Sequence, residues 1–389
     1  MNSMSMKRKI FLFITLLIIC SSSLAAQYRL SIYIKEIPDS PADPHIFLAG
    51  NMNRWNPSDP SFQLKKRNNK FQIMLHPLKH GIYQFKFTRG SWKKVECKYN
   101  SEDIPNRTID LSSDTTIHLT IAGWEDHFPP VSKHHTMSPH VTIIDTDFAI
   151  PQLHRTRRIW AYLPPDYKTS GKRYPVLYMQ DGQNLFDAAT SAYGEWGVDE
   201  ILDSLSQRGY PNIIVIGIDN GGDHRINEYD PYNNQKYGKG EGKEYATFLA
   251  NTLKPFIDKH FRTLPGPENT GIAGSSMGGL ISFYTWLKYP DVFGKASIFS
   301  PSFWIAPEIK NDIHLNDPQK AEKVFFIAGD AESQTMVSDM KDIYNNLLHQ
   351  GMPSPNIQLK VVPRAQHSET YWHKEFPYAY VWLFAAPHE

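Results

Sequence analysis

The sequence predicts two units in one chain: a small β-sandwich, then an α/β unit built on a mostly parallel sheet. Three observations predict this. The 389 residues exceed the usual span of a single domain. Residues 124–140 carry turn formers such as Pro129, Pro130 and Pro139 without apolar periodicity, the texture of a linker. Before that stretch, short β-rich runs recur with no helical pattern between them; after it, apolar runs alternate with helical ones. With 41% hydrophobic and 21% charged residues the chain is globular, which excludes disordered, collagen-like and disulfide-framework classes. The 41 Lys and Arg against 40 Asp and Glu argue against the clustered basic surface of a nucleic-acid binder.

Taken in order, residues 1–26 read as an export signal. Lys7, Arg8 and Lys9 precede an apolar run over 10–20, and small residues lead to a cleavage point after Ala25 or Ala26. The run is shorter than the roughly 20 residues of a spanning helix, so the mature chain is expected to be periplasmic or secreted, with no integral membrane span. A lipoprotein would acylate Cys20, but bulky Ile19 stands where a small residue is needed. Export leaves Cys97 as the one cysteine, and no intramolecular disulfide is expected.

Residues 27–124 are expected to form the sandwich, with strands at 28–34, 45–49, 71–75, 82–87, 95–99 and 116–121. The linker is expected over 125–140. His134, His135 and His140 within it read as solvated loop histidines, since no ligand pattern of Cys or carboxylate accompanies them. In 141–389, strands are predicted at 159–163, 175–179, 213–218, 270–273, 296–299, 324–328 and 357–362, in a sheet covered by helices on both faces. Tyr245, Phe248, Leu249, Thr252, Leu253 and Phe256 share one helical face, which Pro255 is expected to kink.

The chemistry begins at Gly274-Ser275-Ser276-Met277-Gly278, a G-x-S-x-G pattern that makes Ser276 a candidate nucleophile on a sharp strand-to-helix turn. Its context strengthens the reading. An apolar strand precedes it, and an amphipathic helix through Leu280, Phe283, Tyr284 and Leu287 follows. The Met277 amide would open that helix and point at a developing oxyanion. A serine hydroxyl needs a base, and His367 follows the strand at 357–362 through a short loop, as the last histidine of a triad does. An acid should follow the preceding strand, where Gly329-Asp330-Ala331-Glu332 offers two, and the spacing does not choose between Asp330 and Glu332.

These residues and their neighbours carry a resemblance. Tyr174-Pro-Val-Leu-Tyr-Met-Gln-Asp-Gly-Gln-Asn-Leu-Phe-Asp187, Ile216-Gly-Ile-Asp-Asn220, Arg225 with Glu228-Tyr229, 274–279, Ser300-Pro-Ser-Phe-Trp304 and His367-Ser-Glu-Thr-Tyr-Trp372 occur in the order found in the putative-esterase family of α/β-hydrolases, which 141–389 resembles. That family includes acetyl-xylan and feruloyl esterases, siderophore esterases, S-formylglutathione hydrolases and mycolyltransferases. The resemblance implies the α/β-hydrolase fold, Ser276 as nucleophile, His367 as base and Glu332 rather than Asp330 as acid. It also implies a second oxyanion donor, the amide of Gln183, opposite Met277. Asp181, Asn220 and Trp304 are candidates for substrate contact; with Arg225 they are equally candidates for bracing loops. Relatives often carry His where this chain has Gln180. Glu369 and Trp372 are expected to support His367 from the last helix.

In the first unit, His45-Ile-Phe-Leu-Ala-Gly-Asn-Met-Asn-Arg-Trp-Asn-Pro57, 81–90 and Pro105-Asn106-Arg107 resemble the immunoglobulin-like starch- and glycogen-binding sandwiches of carbohydrate-active enzymes. The resemblance implies that Trp55 stacks on a sugar while Lys86 and Asn106 bond its hydroxyls. Its second stacking aromatic belongs just before a Glu, where Val95 precedes Glu96, and Trp92 falls three residues early. Trp55 and Trp92 could instead serve the unit's core or face the second unit. Together these readings imply an exported serine esterase for acyl or feruloyl esters of carbohydrates, without metal or organic cofactor. An acyltransferase of the same fold, a siderophore or small-metabolite esterase and a non-catalytic glycan-binding protein are the alternatives.

Overall fold

In the computed structural model, which describes residues 26–38, 45–53, 55–68, 70–102, 104–129, 134–192, 194–315 and 323–385, two sheet systems follow one another along the chain. The apolar run expected to direct export lies outside the described residues. The first system comprises β1 (Gln27–Glu36), β2 (Phe47–Gly50), β3 (Lys65–Arg67), β4 (Lys70–Lys79), β5 (Gly81–Thr88), β6 (Glu96–Cys97), β7 (Arg107–Leu111), β8 (Thr115–Thr120) and β9 (Gly123–Trp124). One sheet runs β3-β4-β1-β8, another β2-β5-β7, and β6 pairs with β9. Leu30, Ile32 and Ile34 of β1 and Phe71, Ile73 and Leu75 of β4 meet Leu48 of β2 and Tyr83, Phe85 and Phe87 of β5 in one buried core. The two-residue alternation in each strand sends every second side chain there. The run read over 95–99 yields only the two residues of β6, because the chain turns at once and Ser101 N–H donates to Lys98 O at 3.1 Å. The short, polar β3 and β7 escaped sequence reading.

The second system contains β10 (Val141–Ile150), β11 (Arg155–Tyr162), β12 (Val176–Gln180), α1 (Val198–Gln207), β13 (Ile214–Ile218), α2 (Arg225–Tyr229), α3 (Gly242–Phe248), α4 (Lys254–His260), β14 (Thr270–Ser275), α5 (Met277–Lys288), β15 (Lys295–Phe299), α6 (Ile309–Asp312), β16 (Lys323–Gly329), α7 (Met336–His349), β17 (Ile357–Val362) and α8 (Glu369–Phe384). They form an eight-stranded mixed sheet in the order β10-β11-β13-β12-β14-β15-β16-β17. The six strands from β13 to β17 are parallel, and β10 and β11 add an antiparallel edge. Side chains alternate between two cores. Val176, Tyr178, Ile214 and Ile216 face the one covered by α3, α4, α5 and α7; Leu177, Met179 and Val215 face the one covered by α1 and α8. Burial on both faces explains why the strands read as continuous apolar runs. Sequence reading missed β10, whose middle is charged and exposed.

Two helices differ from expectation. The kink expected at Pro255 takes the form of a π-helical stretch, Leu249–Leu253, after which Pro255 lies in the first turn of α4, where its missing N–H costs least. Helix α5, read as amphipathic, is buried at every position from Met277 to Leu287, because it lies against β14 and β15 on one side and α2 and α3 on the other. The two sheet systems touch at a seam. Gln84 of β5, fully buried, donates from Nε2 to the carbonyl of Ala331, Gln334 Nε2 donates to Tyr83 Oη at 3.2 Å, and Gln366 Nε2 donates to Thr108 Oγ1 at 3.3 Å. The first system thus leans on the two loops that follow β16 and β17.

Candidate active site

Ser276 stands between the last residue of β14 and the first of α5, with φ 58° and ψ −123°. A non-glycine residue in that region is strained, and the surroundings hold it there: Ser276 N–H donates to Phe299 O at 3.0 Å, and its carbonyl accepts from Leu280 N–H at 3.1 Å and Ser302 N–H at 3.0 Å. The flanking glycines permit the turn. A Cβ on Gly274 would lie 2.5 Å from Gly278 O, and one on Gly278 would lie 2.9 Å from Asp181 Oδ2. Gln180, where relatives often carry His, is buried beneath this turn and accepts at Oε1 from Tyr245 Oη at 2.7 Å.

The two candidate acids sit in different surroundings. Glu332 is buried, and its Oε2 lies 2.6 Å from His367 Nδ1, while its Oε1 accepts from Ser300 Oγ at 2.8 Å and Gly329 N–H at 2.5 Å. Asp330 is exposed and accepts from Arg364 N–H at 2.6 Å. A carboxylate at Nδ1 sets the ring's tautomer, leaving Nε2 as the basic nitrogen. Trp372 stands edge-on to the His367 ring with centroids 4.9 Å apart, and its Nε1 donates to Ser300 Oγ at 2.9 Å. Ser300 therefore links Trp372 to Glu332. Sequence reasoning had not singled it out, although its place in Ser300-Pro-Ser302 at the end of β15, beside the strand carrying Ser276, was a usable signal. Ser302 was missed as well: its Oγ lies 3.2 Å from Ser276 Oγ. Among the described residues, that contact and no bond to His367 engages the Ser276 hydroxyl, as is common before substrate tightens a site.

The two proposed oxyanion amides lie on separate elements. Met277 opens α5, where the first amides lack intrahelical partners. Gln183 sits in a tight turn after Asp181 and Gly182; its Oε1 accepts from Asn220 N–H at 3.0 Å and its carbonyl from Thr190 Oγ1 at 2.7 Å. For Asp181, open between substrate contact and bracing, the surroundings favour bracing. It is 6% exposed, adopts φ 58°, and spends its carboxylate on Arg225 Nε at 2.6 Å, Arg225 Nη2 at 2.8 Å and Asn220 Nδ2 at 2.7 Å. A buried charge needs this many donors, so Asp181 and Asn220 brace the turn that carries Gln183. Trp304, half-buried, packs at the edge of the core beyond Ser302. Glu369, in the first turn of α8, is buried, and desolvation pushes its carboxyl up to about 7.

In the first sheet system Trp55 and Trp92 come together despite the offset in sequence. Their ring centroids lie 6.2 Å apart at an interplanar angle of 40°, both rings are half-buried, and neither belongs to the core cluster among the described residues. Trp55 has φ 57° and donates from its amide to Gly50 O at 2.8 Å; Trp92 rides on a single 3-10 turn. Val95, where a stacking aromatic was looked for, is buried. Lys86 lies on β5 two residues beyond Gln84, and Asn106 Nδ2 reaches Gln84 Oε1 at 3.5 Å, at the seam.

Two of the three linker histidines, of which His134 and His135 are exposed as expected, also meet carboxylates. His135 Nδ1 lies 2.7 Å from buried Asp187, and His140 Nδ1 2.8 Å from Asp203, so both bond to carboxylates of the second system.

A model of the family described as Putative esterase matches residues 150–383. The chain belongs to that family. It is a carboxylic ester hydrolase. It is 29% identical over 243 residues to the uncharacterized protein YbbA of Bacillus subtilis, covering 59% of this chain and 92% of that protein. To an endo-1,4-beta-xylanase/feruloyl esterase of Xylanibacter ruminicola it is 31% identical over 178 residues, 44% of this chain but 22% of that protein. A 93-residue stretch, 23% of this chain, is 34% identical to 7% of an alpha-amylase of Niallia circulans. The esterase shares its fold with the enterobactin esterase FES of Shigella flexneri, with a TM-score of 0.53, 16% identity and 87% of each chain covered. Among the described residues no helix is long and apolar enough to cross a membrane.

Proposed function

We propose that this esterase is exported and hydrolyses acyl or feruloyl esters of carbohydrates through Ser276, His367 and Glu332. One observation carries the reading: the buried Glu332 carboxylate, 2.6 Å from His367 Nδ1, is itself held by Ser300, so the imidazole is fixed in the tautomer a base requires. In the proposed cycle the Ser276 hydroxyl turns from Ser302 to His367 Nε2 and gives up its proton as Oγ attacks the ester carbonyl. The carbonyl oxygen, now negative, accepts from the amides of Met277 and Gln183. His367 returns the proton to the departing alcohol, leaving an acyl-enzyme. Water then attacks the acyl carbon with His367 as base, and Ser276 recovers its proton on release of the acid. None of these steps calls on a cofactor.

The proposed organisation is an export signal over 1–26, an immunoglobulin-like carbohydrate-binding sandwich over 27–124, a connecting segment over 125–140 and an α/β-hydrolase unit over 141–389. The Trp55 and Trp92 rings would stack on a sugar, with Lys86 and Asn106 as hydrogen-bond donors nearby. Similarity to a feruloyl esterase and to an alpha-amylase supports a carbohydrate substrate. Holding the chain on a polysaccharide raises the local ester concentration at the second unit.

Release of ferulate and acetate from feruloylated and acetylated xylan tests the reading. Wild type is expected to release one or both, and Ser276→Ala neither. Release that survives in Ser276→Ala would overturn the nucleophile assignment; hydrolysis of a small aryl acetate without release from xylan would overturn the polysaccharide. Trp55→Ala is expected to lower retention on insoluble starch or xylan severalfold without altering aryl acetate turnover. Unchanged retention removes the stacking role.

A further inference from the structure

Away from the triad, the loop ahead of α1 and the first turn of that helix gather three carboxylates. Single ligand oxygens of Glu195, Asp199 and Glu200 all lie within 4.8 Å of one another. Two of these groups are incompletely satisfied. Asp199 is fully buried; its Oδ2 accepts from Ser138 N–H at 2.7 Å, while its Oδ1 is sealed from solvent with no hydrogen-bond partner among the described residues. Glu195 repeats the pattern, with Oε2 accepting from Thr136 Oγ1 at 2.7 Å and Oε1 buried without a partner. Among the described residues no Lys or Arg forms an ion pair with any of the three. The positive end of the α1 dipole accounts for Asp199 and Glu200 in a first turn. It accounts neither for Glu195, which precedes the helix, nor for a carboxylate oxygen cut off from both water and donors.

We infer that Glu195, Asp199 and Glu200 bind a divalent cation of the calcium class. All the donors are hard carboxylate oxygens, the set such ions take. Two oxygens at about 2.4 Å on opposite sides of Ca2+ are separated by about 4.8 Å, so the cluster fits within one coordination sphere. The exposed Glu200 side leaves room for the waters that complete it.

The position gives the ion a task. Thr136 and Ser138 tie the 134–140 segment to these carboxylates. Trp196 N–H donates to Asn184 O at 2.9 Å and Val198 N–H to Leu185 O at 3.0 Å, so the same loop holds the turn that carries Gln183. A bound ion would fasten the connecting segment and that turn to one point.

The test is calorimetric titration of CaCl2 into chelator-treated full-length protein at pH 7.5, with melting followed in parallel. One site per chain is expected, with a dissociation constant on the order of 10 µM, and 1 mM CaCl2 should raise the melting temperature by roughly 5–10 °C. Asp199→Asn should abolish both effects. Glu200→Gln, at the exposed rim where folding is spared, should weaken binding about tenfold. Absence of heat and of any melting shift with CaCl2 overturns the proposal, and the carboxyls then share a proton. Binding that is unchanged in Glu200→Gln overturns it too, even if Asp199→Asn fails to fold.

Discussion

Two regions of the molecule press an imidazole against a sealed carboxylate at nearly the same distance, 2.6 Å for His367 with Glu332 and 2.7 Å for His135 with Asp187. The Glu332 and Asp187 side chains are 0% and 3% exposed, so the acids are equivalent in burial. The rings are not. The His367 side chain is 29% exposed and stands edge-on to Trp372, whereas that of His135 is 79% exposed. The acids are also held differently. Glu332 takes, besides the Gly329 amide, a hydroxyl donor that is tied to the same tryptophan, while Asp187 takes only the backbone amides of Thr136 and Ala189 beside its histidine, among the described residues, and so closes a loop. A short histidine–carboxylate contact therefore orients a ring without making it a base. What separates the two is how firmly the ring is gripped and, in the function proposed above, a serine nucleophile for His367 to serve.

The largest effect that could break this comparison is on turnover. His367→Ala is expected to lower kcat/KM for an aryl acetate by about 10⁵-fold, and His135→Ala by less than about twofold. Comparable losses would mean that the distinction drawn from exposure and ring contacts is wrong. The next effect sharpens it within a single loop. Glu332→Gln should cost about 10³–10⁴-fold in kcat, because the amide no longer fixes the ring's tautomer, and Asp330→Asn should cost less than about twofold. An active Glu332→Gln beside a dead Asp330→Asn would transfer the role of acid despite the 2.6 Å contact.

The same contrast explains how much was legible in the sequence. The parallel strands and the turn at Ser276 were readable because their signals are local: apolar runs that cross two cores, and glycines at the two crowded points of the turn. Choosing Glu332 over Asp330 needed a resemblance, since the two acids sit two residues apart and only the path of the loop after β16 decides which turns inward. Asp181 stayed open between substrate contact and bracing because a charged residue in a loop reads either way; its partners Arg225 and Asn220 lie on segments about 40 residues away in sequence. The carboxylates beside His135 and His140 were out of view for the complementary reason, since Asp187 and Asp203 lie 52 and 63 residues further on. Trp92 shows the limit of register counting. One 3-10 turn brings its ring beside Trp55 although the sequence position is offset.

A smaller effect separates the two regions by the sign of their pH dependence. Near His367, desolvation raises the Glu369 carboxyl from 4.5 to about 7. A carboxyl raised on folding favours the folded state fully below about pH 4.5, and that contribution is lost as pH rises through 7, because the unfolded chain ionises first. The loss amounts to roughly 3 kcal/mol. Near His135, burial would raise Asp187, but hydrogen bonds from His135, Ala189 and Thr136 outweigh it and hold the carboxyl below its ordinary value. That contribution is present at neutral pH and disappears on acidification. Glu369→Gln is therefore expected to flatten the fall in denaturant midpoint between pH 4.5 and 8, and Asp187→Asn to flatten the fall below pH 4, each measured against wild type. If Glu369→Gln leaves the alkaline slope unchanged, the group already ionises freely in the folded chain, and the enclosure of the His367 region is less complete than its burial indicates.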